Sequence, residues 1–157
     1  MATKKILEVI GLNISFGNNK KKTTVVNNID LSLYENEILA IVGESGSGKS
    51  VTSKAIMGLL PDKNTAVKGQ IKFKETSLLS LNSSAFAKLR GNDIAMIFQE
   101  PMSALNPSLT CGFQVAEILL PHNKVAAARV KKVVLQLFEK VKLPRPQNLD
   151  NSQPTHL

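Results

Sequence analysis

The sequence predicts an α/β domain, in which strands of a parallel sheet alternate with helices. Two short runs, Ile38–Val42 and Ile94–Phe98, are wholly apolar and are typical of strands buried on both faces of such a sheet. Other segments alternate apolar and polar residues, which is the pattern of half-buried strands. With 157 residues, the chain is long enough to bury a core of its own.

The first two thirds of the chain predict strands and helices separated by polar turns, with Pro61 ending one helix. The expected elements are a strand over Ile6–Phe16 bent near Gly11, a loop over 17–24, a strand over Ile29–Leu33, the apolar strand Ile38–Val42, a helix over Val51–Leu60, a polar connection over 61–66, an edge strand over Gln70–Phe73, a helix over Asn82–Leu89 and the central strand Ile94–Phe98.

The last third predicts helices and loops. Residues 100–107 are expected to form a loop that two prolines bracket, and Cys111–Leu120 a helix. Asn123 has the side chain of an N-cap for a longer helix over Lys124–Val141. The tail 144–157 is polar and shows no periodicity. The residues of the longer helix that recur at helical spacing and are expected to pack on the core are Ala126, Val130, Val133, Leu137 and Val141.

Residues 43–50 read Gly-Glu-Ser-Gly-Ser-Gly-Lys-Ser, the G-x-x-x-x-G-K-[ST] pattern of a phosphate-binding loop. Glycines let the backbone curl so that its N–H groups point at phosphate oxygens, and the following helix adds its positive N-terminus. The lysine reaches the β- and γ-phosphates, while the serine hydroxyl ligates Mg²⁺. The predicted strand before the loop and helix after it match the context that the motif requires. The residues predicted to bind the phosphates are Gly43, Glu44, Ser45, Gly46, Ser47, Gly48, Lys49, Ser50 and Val51.

Composition and charge narrow the function classes. No apolar stretch approaches the ~20 residues that span a bilayer, and the N-terminus lacks the apolar core of a signal peptide. The net charge of +8 would suit nucleic acid or an anionic membrane, but the basic residues are scattered and no aromatic residues are interleaved with them. The one dense run, Lys20–Lys22, is best interpreted as a solvated loop.

The cysteine and histidine residues indicate no metal or redox site. The single cysteine, Cys111, excludes an internal disulfide and suits a reducing compartment, so a cytoplasmic location is expected. Cys111 has no neighbours at metal-ligand or nucleophile spacing, and His122 and His156 are too isolated to be ligands.

A second motif lies at residues 96–107, which read Met-Ile-Phe-Gln-Glu-Pro-Met-Ser-Ala-Leu-Asn-Pro. Together with the loop at 43–50 and the two strands before it, this segment resembles the ATP-binding subunit of ABC transporters. It is similar to the glutamine-loop region of the oligopeptide, dipeptide and nickel importers, and Arg90–Ala95 is also typical of that subgroup. The resemblance implies a RecA-like P-loop core with an N-terminal antiparallel β subdomain and part of the ABC helical subdomain.

The resemblance also implies the cofactors ATP and Mg²⁺ and roles for single residues. Lys49 would neutralise the β- and γ-phosphates, Ser50 would hold Mg²⁺, and Gln99 matches the glutamine that approaches Mg²⁺ and the attacking water. Lys49 and Gln99 are therefore the catalytic candidates, and Ser50 and Gln99 the metal ligands. Phe16 matches the aromatic residue that stacks on adenine, and Val25 lies where a valine often touches the base.

Two of these roles have simpler alternatives. Phe16 could be a core aromatic residue, since large apolar side chains are usually buried, and the insert 18–24 leaves its register open. Gln99 could be an exposed loop residue, although its position directly after an apolar strand favours a functional role.

The sequence departs from the family pattern at its C-terminal end. Family members continue into a Leu-Ser-Gly-Gly signature, an apolar strand ending in Asp-Glu and a switch histidine, and none of these occurs here. Pro154 and Leu157 fall in register with the Pro-His-x-Leu that opens the signature, so we expect the N-terminal part of a subunit, inactive in hydrolysis by itself. Glu100 lies on a loop and does not replace the missing base. The expected divisions are 1–100 for the nucleotide-binding portion, 101–143 for the glutamine loop and start of the helical subdomain, and 144–157 for the tail.

Partners and location follow from the same resemblance. It implies a second ATP-binding subunit, transmembrane permease subunits that Gln99–Pro107 would face and, indirectly, an extracytoplasmic substrate-binding protein, at the cytoplasmic face of the membrane. The implied function is to power uptake of oligopeptides or dipeptides by ATP binding and hydrolysis. Two alternatives stay open, namely a non-catalytic nucleotide-binding fragment and a soluble ABC-type protein that acts on nucleic acid or ribosomes. Nucleic acid is not an expected partner.

Overall fold

The computed structural model describes residues 4–18, 21–100, 104–120 and 126–154. The described residues form two compact units that divide after Arg90. The predicted divisions at residues 100 and 143 stay predictions.

The first unit is built on an antiparallel sheet. Its strands are β1 (Lys5–Asn18), β2 (Lys21–Tyr34), β3 (Thr65–Phe73) and the two-residue β4 (Thr76–Ser77), in the spatial order β2-β1-β3-β4. Each neighbouring pair is antiparallel, and β1 pairs with both of the other long strands. This sheet confirms the predicted first strand, the strand at 29–33 and the strand at 70–73.

The predicted bend near Gly11 is a bulge in β1. Gly11 has a φ of +55°, and the register with β2 shifts between Val9 and Leu12. Its backbone N–H donates to a carboxylate oxygen of Asp30 at 2.6 Å, and its carbonyl accepts from the amide of Asn13 at 2.8 Å. Glycine suits this position because φ is positive there.

Two helices accompany the sheet in the first unit, α1 (Lys49–Ile56) and α2 (Ser83–Leu89), with a short 3-10 helix over Leu78–Ser80 before α2. The side chain of Asn82 caps α2 by accepting from the N–H of Ala85 at 2.9 Å, which confirms the predicted helix over 82–89. The buried apolar residues of this unit are Val9, Leu12, Ile14, Val26, Ala55, Met57, Ile71, Phe73, Leu78 and Phe86.

The two wholly apolar runs do not form the strands predicted for them. Ile38–Val42 has no regular secondary structure, and Ile38 and Val42 are 96% and 91% exposed. Ile94–Phe98 likewise forms no extended strand, and Ile97 is 90% exposed. A strand exists only through hydrogen bonds to its neighbours, and within the described residues neither run lies beside a strand that supplies such a ladder.

Three predicted boundaries are also wrong. The loop expected over 17–24 is the end of a hairpin, because β1 runs to Asn18 and β2 starts at Lys21, while residues 19–20 lie outside the described part. Strand pairing with β1 overrides the polar character of Lys21–Thr24. β3 begins at Thr65, inside the expected connection 61–66. α1 ends at Ile56 and not at Leu60, because Gly58 turns the chain with a φ of +60°.

In the described part of the second unit, the α-helices are α3 (Cys111–Leu119), α4 (Val130–Lys140) and the short α5 (Pro146–Leu149). α3 confirms the predicted helix at 111–120, and its N-cap is Thr110, whose hydroxyl accepts from the N–H of Phe113. The N-cap predicted at Asn123 lies outside the described residues, as do His122 and His156. The helix predicted over Lys124–Val141 is wrong at its N-terminal end, because α4 begins only at Val130, after a 3-10 helix over Ala127–Arg129. A short helix, α5, occupies part of the tail that was expected to be irregular.

The buried stripe of α4 differs from the predicted one. Val130, Val134 and Phe138 form a core cluster with Cys111 of α3, whereas the predicted core residues Leu137 and Val141 are exposed, as is Ala126. The segment has apolar residues over so wide an arc that helical spacing alone does not choose between the two stripes. Contact with α3 decides it.

We predict that Gly69→Ala destabilises the first unit much more than Gly46→Ala. Both glycines have positive φ, but a Cβ on Gly69 would lie 2.5 Å from the carbonyl oxygen of Gly11, whereas one on Gly46 would meet nothing within 4 Å. The Gly69 variant should lose about 2–5 kcal/mol of unfolding free energy from strain plus overpacking, and the Gly46 variant about 1–2 kcal/mol from strain alone. Urea unfolding measures both, and equal losses would contradict the packing argument.

Candidate phosphate-binding site

The predicted phosphate-binding loop is held against β2 by a glycine. Gly48 is the N-cap of α1, with a φ of +92°. A Cβ on Gly48 would lie 3.0 Å from both the carbonyl oxygen of Val25 and Cγ2 of Val26. The loop backbone can approach β2 this closely only because residue 48 has no side chain, and this contact sets where α1 begins.

The ammonium group of Lys49 folds back over the loop. Its Nζ donates to the carbonyl oxygens of Gly43 and Glu44, both at 2.7 Å, and to the hydroxyl oxygen of Ser47 at 3.1 Å. An ammonium has three N–H donors, so all of them have partners within the loop. Contact with an incoming anion therefore requires exchange of one partner, and the bond to Ser47 is the longest of the three.

The start of α1 is suited to an anion. The helix has no acidic residue in its first turn, so the positive end of its dipole is not neutralised there. Thr52 ties the first turn to the loop, because its N–H and its hydroxyl both donate to the carbonyl of Gly48, at 2.8 Å and 3.1 Å. The predicted metal ligand Ser50 lies exposed in this turn.

A cavity of about 430 Å³ lies beside the loop, a size within the range of small-molecule sites. Its lining comes from β2, residues 39–42 before the loop, the loop itself and α1. Val25 is part of the lining, as the adenine-contact prediction requires, but Phe16 is not. Phe16 lies half-buried on β1, opposite Thr23 of β2 and Thr65 of β3. Its predicted adenine contact stays a prediction.

The glutamine-loop residues lie in the second unit. Gln99 and Glu100 are exposed, and residues 101–103 lie outside the described part of the chain. Of the predicted site residues, the structure brings Gly43, Ser47, Gly48 and Lys49 together with Val25 around the cavity. Gln99 belongs to the second unit.

Sequence reasoning missed Gln114, which fixes the Leu-Asn-Pro turn. Its side-chain Oε1 accepts from the N–H of Asn106 at 2.8 Å, and its Nε2 donates to the carbonyl oxygens of Asn106 and Leu109 at 3.0 Å and 3.1 Å. Asn106 also accepts from the N–H of Ser108 through its side chain. An Asn-Pro pair signals a turn, but no sequence pattern pairs it with a glutamine eight residues away.

The described part of the chain has neither a metal-binding cluster nor a membrane-spanning helix. Within residues 4–18, 21–100, 104–120 and 126–154, no cluster of three or more His, Cys, Asp or Glu side chains is placed to hold a metal ion. Across the same ranges, no helix has the length and apolar character to cross a membrane.

Comparison with known proteins identifies relatives over most of the chain. The dipeptide transport ATP-binding protein DppD of Bacillus subtilis is 46% identical over 143 residues, which are 90% of this chain and 43% of that protein. DppD of Lactococcus lactis is 41% identical over 155 residues, 98% of this chain and 44% of the relative. The oligopeptide transport ATP-binding protein OppD of Bacillus subtilis is 41% identical over 151 residues, which are 96% of this chain and 42% of that protein. The chain thus spans less than half the length of these relatives.

A solved structure shows the same fold. The ATP-binding cassette MJ0796, in a dimeric post-hydrolysis state bound to ADP and Pi, superimposes with a TM-score of 0.79 at 21% identity. The match covers 97% of this chain and 63% of that one, and it confirms the predicted ATP-binding-cassette fold class. The family model for ABC transporters matches residues 26–155. This chain therefore belongs to the ABC transporter family.

Proposed function

We propose that this chain binds ATP and Mg²⁺ as part of the ATP-binding subunit of an ABC importer for dipeptides or oligopeptides. The observation that carries the proposal is the loop Gly43–Ser50, with the Lys49 ammonium at its centre and the uncompensated N-terminus of α1 behind it. The names of the relatives, dipeptide and oligopeptide transport ATP-binding proteins, support the substrate class.

The residues fit a nucleoside triphosphate and its metal. Lys49 would exchange its bond to Ser47 for an oxygen of the β- or γ-phosphate, while loop N–H groups and the end of α1 face the same charge. Ser50 would hold Mg²⁺, and Gln99 would approach the metal and the attacking water. Mg²⁺ keeps several waters and binds mainly to substrate phosphates, and the serine hydroxyl of a phosphate-binding loop is one of its protein ligands. Bound ATP supplies the phosphoryl group whose transfer to water drives transport.

The base would lie beside the loop. Val25 lines the cavity and contacts the backbone at Gly48, as does Val26, and Val25 would touch the base. Phe16 would stack on the base, although it does not line the cavity in this structure.

Proposed partners are a second ATP-binding subunit and membrane permease subunits, with an extracytoplasmic substrate-binding protein acting indirectly. The dimeric state of MJ0796 supports the first of these. The segment Gln99–Pro107 would face the permease, and Gln114 would stiffen its Leu-Asn-Pro turn for docking. These partners would place the chain at the cytoplasmic face of the membrane.

We predict that Lys49→Ala weakens MgATP binding at least about tenfold, since one hydrogen bond to a charged group is worth about 1.5–3 kcal/mol. Isothermal titration calorimetry measures the affinity. Lys54→Ala, which removes an exposed lysine from the last turn of the same helix, is the matched control and should bind like the unaltered chain. Unchanged affinity in Lys49→Ala would refute the role of Lys49.

We predict that Phe16→Ala weakens ATP binding and leaves the fold largely intact, because base stacking on an aromatic side chain is worth about 1–3 kcal/mol. Phe113→Ala, at an exposed aromatic residue of α3, is the matched control. Calorimetry and urea unfolding separate the two roles of Phe16. A loss of stability with no separate change in affinity would establish Phe16 as a core residue.

We predict that the 157-residue chain by itself does not hydrolyse ATP at an ordinary enzyme rate, about 1 per second or faster. No Asp-Glu pair follows an apolar strand in it, and general-base help is worth about 10²–10⁴-fold. Phosphate release from purified protein measures the rate, with Lys49→Ala as the control for contaminating ATPases. Turnover near 1 per second that disappears in Lys49→Ala would show the prediction to be wrong.

A further inference from the structure

We infer that Arg90 is a positioning residue for the phosphate-binding loop, acting through the far end of α1. The inference deepens the proposed function and rests on it for the identity of the ligand. Arg90 lies at the end of α2 and reaches back across 32 residues of chain to the turn that ends α1.

The guanidinium of Arg90 donates hydrogen bonds to two backbone carbonyl groups. Its Nε donates to the carbonyl oxygen of Met57 at 2.8 Å, and its Nη2 donates to that of Gly58 at 2.6 Å. The guanidinium also stacks over the ring of Phe86, 4.9 Å from its centre. A cation at a helix C-terminus meets the negative end of the dipole, and the planar fork fixes direction as well as distance.

The turn at Gly58 makes these two hydrogen bonds possible. The N–H of Leu59 donates to the carbonyl of Lys54, and that of Gly58 to the carbonyl of Ala55, which is a Schellman ending with Gly58 in the left-handed conformation. A Cβ at Gly58 would lie 2.7 Å from the ring of Phe86. The turn thus provides hydrogen-bond donors for two carbonyls within α1. The two carbonyls that follow the helix, at residues 57 and 58, accept from Arg90.

Other contacts also hold α1. The backbone at Gly48 approaches β2, and Thr52, Ala55 and, just after the helix, Met57 are buried. Arg90 adds the side-chain bonds at the C-terminal end. An eight-residue helix is a rigid rod about 12 Å long, so release of its C-terminal end changes the direction of its N-terminal end. Lys49 and the loop N–H groups lie at that end.

A merely structural role for Arg90 makes a different prediction. If Arg90 only stabilises the fold, removing its side chain lowers the free energy of unfolding. Amide exchange in the loop and MgATP affinity then change no more than in another variant of equal stability. Asn82→Ala supplies the comparison, because it removes the N-cap of α2, the helix that leads to Arg90, without touching α1. Arg90→Lys keeps a cation but loses the two-pronged geometry.

The test uses the 157-residue chain and its Arg90→Ala, Arg90→Lys and Asn82→Ala variants. Amide hydrogen exchange is measured for residues 46–53 without nucleotide, and MgATP affinity by calorimetry. We expect Arg90→Ala to exchange about tenfold faster at these amides than Asn82→Ala and to bind MgATP about tenfold more weakly, which corresponds to 1.4 kcal/mol. Arg90→Lys should give an exchange rate and a MgATP affinity between those of the other two variants. If Arg90→Ala does not fold, the comparison of Arg90→Lys with Asn82→Ala tests the inference instead.

Equal exchange at residues 46–53 in the Arg90 variants and in Asn82→Ala, at matched stability, would overturn the inference. If the unaltered chain binds no MgATP, the proposed function fails, while the exchange comparison still decides whether Arg90 positions the loop. If Lys49→Ala abolishes binding and both Arg90 variants bind normally, the proposed function stands and the positioning role of Arg90 is wrong.

Discussion

The contact between the backbone at Gly48 and strand β2 is the constraint on which the candidate site depends. A Cβ at residue 48 would lie only 3.0 Å from Val25 and Val26, and φ there is +92°, so glycine is the residue best suited to this position. That contact places the start of α1 and, with it, the Lys49 ammonium beside the N-terminus of the helix. The antiparallel sheet thus acts as the support for a loop whose own chemistry is local.

Most of the regular elements followed from the sequence, whereas the strands predicted for the two apolar runs did not form. β1, β2, β3, α2 and α3 each have a short-range signal, either alternation of apolar residues or a capping side chain such as Asn82 or Thr110. Two segments, Ile38–Val42 and Ile94–Phe98, are apolar throughout but carry no other signal. Apolar composition favours burial, but it does not specify which element packs against the segment. Their ladders depend on neighbours that the described residues do not supply.

Within the site, the residues divide in the same way. Lys49 bonds only to residues at most six positions away, so a motif of fixed spacing identifies it. Arg90 and Gln114 act on backbone groups to which no motif links them. Every residue has a backbone carbonyl, so the sequence around Arg90 and Gln114 does not show which carbonyls their side chains will bond.

The sequence by itself determined the loop motif at residues 43–50 and the cassette family, because both show in residues at fixed, short spacing. Tertiary structure alone decided which face of α4 is buried, where α1 stops, and that Lys21–Thr24 belong to β2. In each of these cases several local conformations have similar free energies, and the choice is made by a partner distant in the chain: α3 for the stripe of α4, Arg90 and Phe86 around the turn at Gly58, and β1 for the hairpin.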